Sequence, residues 1–74
     1  MIRELESIVL IGDLPEHGLR DGDVGTVVYI HPEGSGYEVE FMALDGQTVA
    51  VVSLLPSQVR RIARREIAHA RMVG

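Results

Sequence analysis

The sequence contains no cysteine, no lysine and no tryptophan. Without cysteine there is no disulfide staple and no thiolate to hold a metal ion. Without lysine every basic side chain is an arginine, the usage of a GC-rich coding genome or of sites that need planar, bidentate contacts. Aromatics are limited to Tyr29, Tyr37 and Phe41. Single-stranded nucleic acid is normally held by stacking bases on such rings, so a base-stacking platform is not expected. Long apolar runs are missing too. The longest, Ile8–Ile11 and Val49–Val52, fall far short of a membrane span. The first six residues carry Glu4 and Glu6 where a signal peptide needs an apolar core. By elimination the expected compartment is the cytoplasm, with no membrane partner.

What remains is one small domain of 74 residues and 8.1 kDa, 46% hydrophobic and 24% charged. That balance belongs to a folded chain. A chain this short buries only about 60% of its unfolded surface, so its stability is expected to be marginal and helped by a partner subunit.

Charge is unevenly placed. Residues 1–58 hold ten acidic side chains against Arg3 and Arg20, a net of −8. Residues 59–74 hold Arg60, Arg61, Arg64, Arg65 and Arg71 against Glu66, a net of +4. The body is acidic and the tail basic. An acidic body repels phosphate, which makes nucleic acid the less expected partner.

Turn signals recur about every ten residues: Gly12-Asp13, Pro15–Gly18, Asp21-Gly22, His31–Gly36 and Asp45-Gly46. Between them lie segments rich in β-branched residues, Glu6–Ile11, Val24–His31, Tyr37–Phe41 and Gln47–Leu54. The third alternates cleanly, with Tyr37, Val39 and Phe41 on one face and Glu38 and Glu40 on the other. Asp45-Gly46 marks a hairpin between the third and fourth. Segments this close cannot be joined by parallel crossovers. Two of them are apolar on both faces, which a flat sheet would expose, so the sheet should curl into a barrel or have its outer face covered. Pro56 opens a single tight helical turn, and Val59–Ile62 suits a short fifth strand. The expected fold is therefore all-β, a small antiparallel barrel of about five strands over residues 1–62. Residues 63–74 form a C-terminal tail, extended or strand-like in preference to helical, able to pair with the barrel or with a second copy.

Gly18-Leu19-Arg20-Asp21-Gly22-Asp23-Val24-Gly25-Thr26-Val27-Val28 is a glycine-bearing turn leading into a curved strand. Gly22 supplies a turn conformation, and Gly25 permits close backbone approach or a sharp bend. The stretch resembles the KOW element of transcription and ribosomal proteins, within an SH3-like barrel. The wider order of Asp13–Leu19, Gly22–Val28, Tyr37–Phe41, Val49–Leu54 and the ending Glu66–Arg71 resembles a family of short, stand-alone bacterial proteins, domain of unknown function 4926. The resemblance implies an SH3-like barrel and assigns no catalytic residue. It also implies an antitoxin or immunity role beside a neighbouring toxin or nuclease gene.

No constellation for chemistry stands out. His17 and His31 lie at turns and His69 in the tail, without metal-ligand spacing. Glu38 and Glu40 alternate with core residues and read as a solvated face. No serine lies in a nucleophile elbow. Gly34-Ser35-Gly36 lacks the lysine and helix of a phosphate cradle. No enzyme activity, cofactor or metal is expected. Partner-binding candidates are Glu16 and His17, on a loop projecting from one barrel end, and Arg60, Arg61, Arg64 and Arg65. The expected function is a non-catalytic protein-interaction module that also self-associates. The alternative is an RNA- or ribosome-binding KOW-like module.

Overall fold

The computed structural model describes residues 1–73; Gly74, the end of the expected tail, lies outside the described residues. Five strands form one antiparallel sheet: β1 (Ser7–Leu10), β2 (Val24–Ile30), β3 (Tyr37–Met42), β4 (Thr48–Leu54) and β5 (Val59–Arg61). Their spatial order is β4-β3-β2-β1-β5. Single 3-10 turns at Pro15–His17, Pro32–Gly34 and Pro56–Gln58 link them, each begun by a proline whose fixed φ suits that position. No α-helix occurs among the described residues. The sheet curls into an open barrel of the SH3-like kind.

Period-two alternation sends Ile8, Leu10, Val27, Val39, Phe41, Val52, Leu54 and Val59 inward, where they form one core with Leu19. Gly25 pairs with Ile8 on that inner side. A Cβ there would lie 2.6 Å from Val39 Cγ1 and 2.9 Å from Phe41 Cε1. Glycine is required because the curled sheet brings β3 side chains onto the β2 backbone.

Two bulges correct the alternation. Val27 pairs with Val39 and Tyr29 with Glu38, leaving Val28 unpaired. This slip lets both Val27 and Ile30 reach the interior although they are three residues apart. Phe41 pairs with Ala50 and Met42 with Thr48, leaving Val49 as the second bulge. The β3–β4 hairpin closes at Asp45-Gly46 as expected. Gly46 adopts φ +95°, and its amide and that of Gln47 bond to Ala43 O and Asp45 Oδ1.

The tail is neither strand nor helix. It leaves β5 and turns at Arg64-Arg65, and Glu66 beyond the turn pairs with Arg60. Arg71 donates to Asp23 through Nε (2.9 Å) and Nη2 (2.5 Å), and Nη2 also reaches Gly18 O at 3.0 Å. Val9 of β1 and the tail residues Ile67–Arg71 line one groove. Val9 points away from the barrel interior yet is only 5% exposed.

Candidate functional site

The Asp13–Asp23 loop is built on three carboxylates, of which Asp23 accepts from the Arg20 amide at 2.8 Å. Asp21 Oδ1 accepts from the Gly12 amide at 2.8 Å, and Asp13 Oδ1 accepts from the Asp21 amide at 2.9 Å. Leu14 and Leu19 bridge the loop as a miniature hairpin, and Leu19 anchors it in the core. Its tip, the 3-10 turn Pro15–His17, leaves Glu16 and His17 exposed, without a side-chain hydrogen bond to each other. The loop projects from one end of the barrel, and through Gly18 it touches the tail.

The arginines do not act as one cluster. Arg60 and Arg61 lie on β5 opposite Val9 and Ile8 respectively, and so point to different sides. Arg60 forms a bidentate pair with Glu66, at 2.8 and 2.7 Å. That pair, with the Ala63 amide, holds the Glu66 carboxyl down at about 2. Arg61 donates to Glu6 Oε2 at 2.7 Å and, with the Arg3 amide, draws the Glu6 carboxyl below its ordinary value. Arg64 and Arg65 sit exposed on the turn with no carboxylate partner among the described residues.

Between the tail and the sheet runs a half-open groove of about 700 Å³. Val9, Val24 and Phe41 line it from the sheet, Leu19 from the Asp13–Asp23 loop, Leu44 from the β3–β4 hairpin and Ile67 from the tail. Asp23 and Arg71 lie along it as a matched pair. Burial pushes the Asp23 carboxyl up, but the hydrogen bonds from Arg71 and from the Arg20 amide outweigh it, so the group titrates below its ordinary value. At the rim, Leu44 is 93% exposed and Ile67 92% exposed. The groove is not legible in the sequence, because its lining is gathered from segments as distant as Val9 and Val73.

A second cluster escaped the sequence reading. On the outer face, Glu38 Oε2 accepts from Ser53 Oγ at 2.5 Å and contacts His31 Nε2 at 2.6 Å. Tyr29 packs edge-on against the His31 ring, centroids 5.3 Å apart. The Ser53 and His31 contacts lower the Glu38 carboxyl. The carboxylate stands between hydroxyl and imidazole, whereas a nucleophile relay needs the imidazole in the middle. This arrangement fixes side chains across β2, β3 and β4 without activating Ser53. Among the described residues no group of His, Asp and Glu is placed to hold a metal ion, and no helix is long and apolar enough to cross a membrane.

No curated protein and no solved structure matches the chain. One family model does, over residues 4–61, from the approach to β1 to the last residue of β5. The tail, including the Glu66–Arg71 ending, lies beyond the matched stretch. With well over half of its residues matched, the chain belongs to the family described as a domain of unknown function, DUF4926.

Proposed function

We propose that this domain is a non-catalytic protein-interaction module of the bacterial cytoplasm, the companion of a neighbouring gene product in the manner of an antitoxin or immunity protein. The observation that carries this reading is the apolar groove with Leu44 and Ile67 exposed at its rim. Large apolar side chains exposed together around a concavity favour a protein partner, because their burial is the main driving force of association. The Asp23–Arg71 pair at the groove adds polar anchors of both signs.

The test is a titration of the full chain with the purified neighbouring gene product, followed by calorimetry. Saturable binding is expected, weakened at least about tenfold by Leu44→Asp and by Ile67→Asp. Binding that ignores both changes, or no binding, overturns the reading.

RNA or ribosome binding is the second reading, and Arg64 and Arg65 support it as adjacent, exposed cations with no carboxylate partner among the described residues. It requires binding that weakens steeply with salt and is lost in an Arg64→Ala, Arg65→Ala chain. The ion pairs of Arg60, Arg61 and Arg71 leave few charges for phosphate, which is why a protein partner is preferred.

A further inference from the structure

The two outermost strands of the sheet are built differently. β5 spans three residues and carries Arg60 and Arg61, so it is short and charged, as protected edges are. β4 spans seven, Thr48–Leu54, with no charge, proline or glycine. Its bulge at Val49 lies near the start and leaves Ala50–Leu54 in unbroken register with β3. Among the described residues no strand or loop makes a backbone hydrogen bond to the other side of β4. Along this five-residue run the backbone donors and acceptors of alternate residues, those directed away from β3, are therefore open, and Val51 is 55% exposed.

We propose that a second copy of this chain pairs with that edge, β4 antiparallel to β4, to give a continuous ten-stranded sheet across a twofold axis. Such an interface is self-complementary by symmetry, so the strand must match its own reverse. β4 does. With Val52 on the axis, Val51 meets Ser53 of the copy and Ala50 meets Leu54. Apolar or small hydroxyl side chains face one another at every step, and alternation keeps Ala50, Val52 and Leu54 on the core side of both sheets.

Charge does not oppose the pairing. The nearest carboxylates, Glu38 and Glu40, lie one strand inward on β3, held by Ser53 Oγ at 2.5 Å and Thr48 Oγ1 at 2.6 Å. In the dimer they stand three strand spacings from their copies, about 14 Å, beyond the ionic screening length of about 8 Å. An edge without charge or side-chain pockets has little to select a foreign sequence, whereas a copy of itself repeats its chemistry residue by residue. The edge lies apart from the Leu44 and Ile67 side chains that the protein-partner reading uses, so either can fail alone.

The test is sedimentation of the full chain from micromolar to millimolar concentration, with residue-resolved amide exchange on the same samples. The mass is expected to rise from 8.1 kDa to twice that value, as protection spreads over Ala50–Leu54. Val51→Lys is expected to weaken association about tenfold or more, by setting ammonium groups along the edge. Its cross-strand neighbour is Glu40, so the monomer keeps its fold. A monomer at every concentration overturns the proposal. So does a dimer whose new protection falls on Ile67–Val73, or one that Val51→Lys leaves unchanged. If Val51→Lys fails to fold, the exchange pattern of the unaltered chain decides.

Discussion

Arg71 and Asp23 are 48 residues apart in sequence, and their side chains meet in a bidentate ion pair that fastens the tail beside the start of β2. Arg71 also reaches Gly18 O, so one side chain ties the tail to two points of the Asp13–Asp23 loop. Both residues line the groove between tail and sheet, beside Val9. Arg71→Ala should free the tail without unfolding the barrel. The expected result is several-fold faster trypsin cleavage after Arg64 and Arg65, with little change in the thermal midpoint. An unchanged cleavage rate would show that Ile67–Ala70 hold the tail without the ion pair.

Gly25 should resist any side chain. The space beside it is taken by Val39 and Phe41, at distances that no real Cβ contact shows. Gly25→Ala is expected to cost about 1–3 kcal/mol through forced displacement of those side chains. Urea denaturation measures it. Gly12→Ala serves as a contrast, since that site has open space and only its φ of +87° penalises a side chain.

Core truncation should scale with what is removed. Ile8 is fully buried and Phe41 nearly so. Ile8→Val is expected to cost about 0.5–1.5 kcal/mol and Phe41→Ala about 3–5 kcal/mol. For a marginal domain the second is close to the whole stability, so Phe41→Ala should be largely unfolded by circular dichroism at room temperature.

The strands were legible in the sequence because their cause is local. Alternation in Tyr37–Phe41 and the Asp45-Gly46 turn depend on neighbours along the chain, and both lie where expected. The bulges at Val28 and Val49 were not legible, since a register slip is defined only against a partner strand. The tail carries apolar spacing that fits a strand slightly better than a helix, and it forms neither. Its path is set by Asp23, far away in sequence. Glu38 reads as a solvated face residue, and it does lie on the outer face, half-buried against His31 and Ser53. The pairing of Tyr29 with Glu38 brings His31 within reach of it, a relation that the β2 bulge hides from simple alternation.

Acid should weaken the fold in a defined window. The carboxyls of Glu6, Asp23, Glu38 and Glu66 all titrate below their ordinary values in the folded chain. A depressed folded value contributes stability above the unfolded value, 4.5 for Glu and 3.8 for Asp. That stability is lost as pH falls through the folded one. Stability should therefore hold steady down to about pH 5, then fall as these groups take up protons, with Glu66 last at about 2. Glu66→Gln should flatten the most acidic part of the curve, read from urea midpoints at successive pH values. Because Glu6 and Glu66 are solvent-facing, added salt should shrink their effect.

Leu5 sits at φ +68°, a left-handed conformation that a branched apolar side chain rarely adopts, and its side chain is largely exposed. Leu5→Asn should raise stability by about 0.5–1 kcal/mol by relieving that strain. Loss of stability in a thermal melt would mean that the leucine makes contacts worth more than its backbone costs.

The pairing of β1 with β5 sets the first and last strands side by side, Val9 opposite Arg60. A short peptide would suffice to join the two ends of the barrel, and the exposed Leu44–Gly46 bend offers a place to cut. The domain is thus a near-closed ring in its connectivity, suited to being rewired from a different starting residue or spliced whole into a host protein's surface loop.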